Sequence, residues 1–382
     1  MGNLRNFFYS SFFSGIAGGA LSIMLPLYFS LKFESSLALM GLVFSIYSLL
    51  FIVLQIPSSY FGDRFNRRGI LIFSDILMLS TIIVYGAASR IWHFAVGNAV
   101  KGLSGSLNRA ASNTVLVDIS QRERFSESFG NLIGSFFLGY VIGYLIAGPV
   151  VGMIGYQRAL YGLAVFQVAA LYFIYQIKYE QKKRSIKFNI RKFFHKPHRT
   201  LKILALTGFL VSLVEVMDAT VTVIFIKDVF SASITQIGLV LGAGYFSFGI
   251  TQMIFGKRSD RGGRKRHYVY GMGLALVSAF MIPNMPSLVG VGLFFALLCM
   301  GHGIAFPAVI GIIAEHTSEE YRSQDFGFVS TFEELGKFVG LPLMGWIADT
   351  IGYDTSFYFR GALLLTAAAI VVLFVKEKEG AN

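Results

Sequence analysis

The sequence predicts an all-α membrane protein of twelve transmembrane helices in two pseudo-symmetric six-helix bundles. Three observations predict it. Apolar runs of spanning length recur along all 382 residues. Lysine and arginine gather in alternate connecting segments. A pattern in the first half returns in the second at one fixed separation, Asp63 recurring as Asp260, 197 positions on.

Composition sets the solvent. Of the residues 54% are hydrophobic and 14% charged, whereas a soluble domain carries about 25% charged residues. Crossing ~30 Å of hydrocarbon takes about 20 helical residues, and only helices or closed barrels satisfy their backbone in lipid. Strand-length alternation is absent, so the spans are read as helices. A net charge of +12 would suit nucleic acid if gathered on one face. It is dispersed in short loops instead, so no nucleic-acid partner is expected. The single cysteine, Cys299, lies in an apolar run, which excludes a disulfide framework. No cleaved signal peptide is expected, because only Arg5 precedes the first apolar stretch and no small-residue cleavage pattern follows it.

In order, the spans are read at 7–31, 38–61, 70–89, 91–117, 129–150, 159–177, 201–226, 236–255, 268–283, 288–314, 328–350 and 355–375. Basic residues orient them. With the N-terminus in the cytoplasm, the inner segments hold Arg5, the Arg64–Arg68 cluster, Arg122 and Arg124, ten residues from Lys178 to Lys202, six from Lys257 to Arg266, Arg322, Lys376 and Lys378, which is 25 of the 33. Five fall outside: Lys32, Arg90, Arg158, Lys227 and Arg360. Lys101, Arg109 and Lys337 lie within spans. Both termini are therefore expected in the cytoplasm of a cell-membrane protein. The basic segment 178–200 divides an N-terminal half, 1–177, from a C-terminal half, 201–382. Its interleaved phenylalanines suit an anionic inner leaflet, a solvated linker being the plainer alternative.

The repeat covers about 90 residues. SYFGDRFNRRGIL returns as FGKRSDRGGRKRHYV, Asp118 as Glu315, and Gly130, Gly139, Gly143, Gly148 and Gly155 as Gly327, Gly336, Gly340, Gly345 and Gly352. A constant offset implies duplication of a six-helix unit, and duplicated halves around a midplane site are a known transporter plan. At this loop the chain resembles the major facilitator superfamily, whose signature between helices 2 and 3 is G-x-x-x-D-R-x-G-R-R/K. The second copy supplies Gly256, Asp260, Arg261, Gly263, Arg264 and Lys265. The first keeps Asp63, Arg64, Arg67 and Arg68 but has Ser59 and Asn66 where glycines are usual. Asn tolerates a positive φ better than most residues, so the turn is expected to survive at Asn66. The resemblance implies alternating access and a cytoplasmic latch in which Asp63 faces a helix N-terminus, Arg67 meets Asp118 and Arg264 meets Glu315. Simple topogenic charge is the alternative.

Gly148-Pro149-x-x-Gly152 resembles the core of the superfamily's antiporter motif, with Met153 and Tyr144 where it has glycines. It points to efflux, or to helix packing alone. Charges inside a bilayer are costly and tend to line a cavity or relay. Glu215 and Asp218, three apart on one helix, share a face and are the main proton-coupling candidates, Asp218 leading. The alternative is fixed pairing with a cation such as Lys101 or Arg109. Glu334 and His302 are weaker candidates: Glu333 is expected to pair with Lys337 and leave Glu334 free, while His302, flanked by Gly301 and Gly303, reads first as a packed, hydrogen-bonded histidine and only second as a proton carrier. Asp75 is read as stabilised by its helix dipole. Asn98, Lys101, Gly105, Asn108 and Ser112 fall on one polar stripe flanked by Arg109. Asn98, Lys101, Asn108 and Arg109 are therefore the substrate-cavity candidates. Many antiporters of the family carry Arg where Asn98 stands, and Lys101 is the nearby cation.

The function expected is proton-coupled efflux of small organic compounds, with a facilitator or symporter of a polar or anionic solute as the alternative. The expected partners are a small-molecule substrate, protons and the bilayer, and the chain is expected to be a monomer. No cofactor or metal is expected. No HExxH, GxSxG or paired metal-ligand motif is present, which argues against an intramembrane enzyme.

Overall fold

The computed structural model describes residues 2–64, 66–119, 125–178, 197–259, 263–317 and 321–375. Among these described residues are thirteen α-helices and no strand. They are α1 (Gly2–Phe33), α2 (Leu37–Arg64), α3 (Arg67–Ala87), α4 (Ile91–Ile119), α5 (Phe125–Gly162), α6 (Ala164–Tyr175), α7 (Arg199–Glu215), α8 (Val221–Phe230), α9 (Ile234–Ser259), α10 (Arg264–Met281), α11 (Leu288–Glu315), α12 (Arg322–Thr350) and α13 (Tyr353–Phe374).

Two interruptions turn these into twelve spans. α5 turns at Gly155, whose φ of 78° belongs to the left-handed region that glycine alone enters freely. The fifth span ends there, and the sixth continues through α6. α7 and α8 form one span broken by the 3-10 turn Val216–Ala219, where an unbroken helix over 201–226 is expected from sequence. Thr220 leaves helical geometry at φ −138°, ψ −84°, and its amide closes back on the Met217 carbonyl at 3.1 Å. The β-branched run Val221-Thr222-Val223 gives the helix little intrinsic resistance to that break. Eight stretches qualify as spans on length and hydropathy. One of them, Gly130–Tyr175, contains two spans, and α4, α10 and α12, which each carry at least three charged side chains, fall short of that test.

The repeat is written into the helix starts. Helices begin at 2, 37, 67, 91 and 125, and again at 199, 234, 264, 288 and 322, each 197 later. The caps recur too. Ser36 Oγ accepts from the Leu39 amide at 3.2 Å, and Ser233 Oγ from the Gln236 amide at 3.3 Å. Gln236 completes a capping box by accepting from the Ser233 amide at 2.8 Å. By contact the helices gather into two compact units, one of α1, α3–α6 and most of α2, the other of α7, α8, α10–α13 and most of α9. Within the first, α1 packs on α5 and α6, and α3 on α4 and α6; within the second, α7 packs on α12 and α13, and α10 on α11 and α13.

Glycine sets the closest of these approaches. A Cβ at Gly139 would stand 2.1 Å from the Phe12 carbonyl oxygen, and one at Gly143 2.3 Å from that of Ile16. In the second unit Gly336 meets Phe209 at 2.4 Å and Gly340 meets Leu213 at 2.0 Å. All four residue pairs obey the same offset. Without a hydrophobic force between helices in lipid, such small-residue contacts are what hold helices together.

Candidate functional site

Ionisable side chains converge in the second unit where the seventh span breaks. Asp218, in the 3-10 turn, meets Arg360 of α13. Arg360 Nη1 donates to Asp218 Oδ1 and Nη2 to Oδ2 at 3.2 Å. Arg360 is fully buried and Asp218 nearly so. A planar guanidinium fork on a carboxylate is the strongest form of such a pair. Arg360 is thus a buried partner inside α13, not one of the outer residues the charge count assigned it to. The sequence could have flagged it, since it already lies inside the expected span 355–375.

Glu215, at the end of α7, turns to a different helix. Its Oε1 contacts His302 Nδ1 of α11. The two carboxylates thus take partners from two different helices, and neither partner is Lys101 or Arg109. The glutamate keeps 37% of its side-chain surface accessible, against 9% for the histidine. His302 Nε2 is buried with no partner. The structure also corrects the reading of α12: Glu334 is not left free, because Lys337 Nζ donates to its Oε1 at 2.7 Å. Three and four residues are both neighbouring spacings on a helix, and buried Glu334 is the more demanding partner.

In the first unit the polar stripe of α4 divides between two faces. Ser104 donates to the Ser74 carbonyl at 2.8 Å, Asn108 Nδ2 to Ser74 Oγ at 3.3 Å, and Ser112 to Asn108 Oδ1 at 2.9 Å. These residues form a hydrogen-bond seam with α3. Buried Asn98 donates to the Phe94 carbonyl of its own helix at 2.9 Å. Lys101 and Arg109 turn instead towards α2. The Lys101 ammonium lies 5.3 Å from the ring centroid of Tyr47 and the Arg109 guanidinium 5.6 Å from that of Phe51, the range of a cation–π contact. Among the described residues no carboxylate pairs with Lys101.

At the loop signature, Arg264 lies 3.0 Å from Glu315 and also donates to the Gly311 carbonyl. Arg67 is buried. Asn66 does not take a left-handed turn. It adopts φ −62°, ψ 111° and caps α3, its side chain accepting from the Arg68 amide, whereas Gly263 at the matching position has φ 84°. An Asn can supply a cap where a Gly can supply only the turn. The side chains of Asp63, Arg64 and Asp118, and all of Asp260, Arg261 and the linker from 179 to 196, lie outside the described residues. Gly148 is buried beside Pro149, but Gly152 faces open space, so the two glycines do not share one contact. Among the described residues no group of His, Cys, Asp and Glu could hold a metal ion.

Twelve helical spans in two repeated bundles, with ion pairs buried inside one of them, define a multi-pass membrane protein of the secondary-transporter class. A family model for the Major Facilitator Superfamily matches residues 7–217 and again 204–382. The chain belongs to the Major Facilitator Superfamily. It is 26% identical to the multidrug resistance protein MdtG of Serratia proteamaculans (strain 568), over 97% of this chain and 92% of that one. It is 24% identical to the class B tetracycline resistance protein of Escherichia coli, over 80% and 77%. Among solved structures, an inward-facing bacterial homolog of the human lysosomal transporter Spinster aligns with a TM-score of 0.81 at 14% identity, covering 97% and 95%. The nucleoside transporter NupG aligns with a TM-score of 0.78 at 13% identity, covering 99% and 100%; these two likenesses concern the fold. The protein is a transporter and not an enzyme.

Proposed function

We propose that this transporter exports small organic compounds in exchange for protons, with the Glu215–His302 pair as the proton-exchange site. One observation carries the assignment: where the seventh span breaks, the Glu215 carboxylate of α7 meets the His302 imidazole of α11, a pair of groups that both exchange protons in proteins. Arg360 never gives up its proton, so Asp218 is held as a fixed counter-ion, and the leading role passes from Asp218 to Glu215. Glu215 is also the more accessible member of its pair. The relatives named for multidrug and tetracycline resistance support export. The bias of basic residues supports a cell-membrane protein with both termini in the cytoplasm. The halves 1–177 and 201–382 move as the two bodies of alternating access on this reading, and the charges at the two loop signatures latch the cytoplasmic side.

Everted vesicles with an acidic lumen test this. Substrate should accumulate in the lumen of vesicles carrying the wild type. Glu215→Gln and His302→Gln should abolish that accumulation while keeping downhill substrate exchange. Undiminished accumulation in both variants would reject the site, and accumulation only in right-side-out vesicles would reject the orientation. A second reading, transport of an anionic solute, is favoured by Lys101, which lies over a ring with no described carboxylate beside it. In the same assay, competition by aromatic anions that Lys101→Met removes would select it.

A further inference from the structure

Asp75 of α3 is the one carboxylate in the described residues of the first unit that lies deep inside a span. It stands two turns into the helix, 5% exposed, and Gln167 of α6 beside it is 1% exposed. Gln167 Nε2 donates to Asp75 Oδ1 at 3.2 Å. The other oxygen of each side chain, Asp75 Oδ2 and Gln167 Oε1, is buried without a partner. Two orphaned acceptors on a bonded pair of side chains are unfavourable, and a single proton removes both deficits. A carboxyl that takes up a proton gains an O–H donor, and the amide oxygen is the acceptor already tied to it.

Among the described residues no cation pairs with Asp75 to favour the ionised form. α3 packs on α4, α5 and α6. On α4, Lys101 and Arg109 lie over the rings of Tyr47 and Phe51, and the His93 ring accepts from the Ser89 amide at the far end. On α5, Arg158 is exposed beyond the Gly155 turn. α6 carries no ionisable side chain except Tyr172 and Tyr175. On α3 itself, Arg68 bonds the Tyr175 carbonyl and Arg67 lies two turns away. Among the described residues, the side chain that hydrogen-bonds Asp75 is Gln167. The repeat gives an independent sign of neutrality: 197 residues on, the matching positions of α10 and α13 are Met272 and Leu364, both buried. The same helix contact in the second unit is made by two uncharged, apolar side chains.

We propose that Asp75 is a proton-binding site, occupied at neutral pH, and that its Oδ2–H donates to Gln167 Oε1 to complete a reciprocal acid–amide pair between α3 and α6. The site is separate from Glu215–His302 and does not depend on what the protein transports. Its test is an infrared difference spectrum between the wild type and Asp75→Asn, both purified in lipid at neutral pH. The wild type should show the C=O stretch of a protonated carboxylic acid, shifted in heavy water and missing from the variant. A carboxylate band in its place would overturn the proposal. Asn can give and take the same two hydrogen bonds, so Asp75→Asn should also melt within a few degrees of the wild type. Failure of that variant to fold would equally overturn it, because the proposal makes the amide a faithful copy of the protonated acid.

Discussion

The two halves of this protein share their packing and divide their chemistry. Gly139 against Phe12 and Gly143 against Ile16 recur as Gly336 against Phe209 and Gly340 against Leu213. The close contact Gly271–Gly301 in one half is the Ser74–Ser104 hydrogen bond in the other. Apart from Arg67 at the loop signature, which recurs as Arg264, none of the buried charges among the described residues recurs. Glu215, Asp218, His302 and Arg360 stand where the first half has Gly18, Leu21, Gly105 and Leu163, and Lys101 and Arg109 stand where the second has Leu298 and Phe306. Duplication thus preserved what helix association in lipid requires, which is small residues at close crossings. Ionisable groups add cost without adding association, so each survives only where its half uses it.

The largest effect should come from the feature without a counterpart. Asp218→Asn leaves the Arg360 guanidinium buried against a neutral amide, and removing one partner of such a pair costs about 3–5 kcal/mol. Thermal melting of the purified protein should fall accordingly. The double variant Asp218→Leu, Arg360→Leu, which copies Leu21 and Leu163 of the first half, should recover most of the loss. Single variants as stable as the wild type would show that the pair is not closed in the folded protein.

The shared feature should respond symmetrically. Gly143→Leu and Gly340→Leu each force a side chain into a neighbouring backbone and should cost at least the ~1–3 kcal/mol of an overpacked core, by similar amounts. Gly130→Ala and Gly327→Ala meet nothing within 4 Å and should be neutral or stabilising by ~0.4–1 kcal/mol. A large loss at one matched position and none at the other would mean that the repeated contacts do unequal work.

What sequence could show follows the same division. Periodicity, charge bias and the 197-residue offset are properties of single segments, and they carried the spans and the repeat, while the Arg264–Glu315 neighbourhood followed from the family resemblance at the loop signature. The partners of Glu215 and Asp218 were out of reach because pairing depends on which helices a span faces, and His302 and Arg360 lie 87 and 142 positions further on. Arg360 was counted with the loops because it lies close to a span end. The division of the α4 stripe was hidden for another reason. Residues 101, 105 and 109 turn to α2 and residues 104, 108 and 112 to the seam, yet both sets fall within one broad polar arc. Asp75 was legible as an intramembrane acid, but its amide partner lies 92 positions away and carries no charge to attract notice.

The smallest effect should lie at the loop signature, where the halves differ in local detail. Arg264 and Glu315 keep 22% and 29% of their side-chain surfaces accessible, and exposed pairs contribute only ~0–1 kcal/mol. Glu315→Gln should therefore shift melting little, and less at high salt, because screening already weakens the wild-type contact. Arg264→Ala should cost more, since that side chain also donates to the Gly311 carbonyl. If the pair belongs to a cytoplasmic latch, Glu315→Gln should still raise the labelling of a cysteine placed on the cytoplasmic side, in a Cys299→Ser background, because a contact that must release in every cycle is close to balance. At that balance, less than about 1.4 kcal/mol changes the populations by several-fold. Unchanged labelling in Glu315→Gln would remove the latch role from this pair, and a melting loss of several kcal/mol would show a structural ion pair in its place.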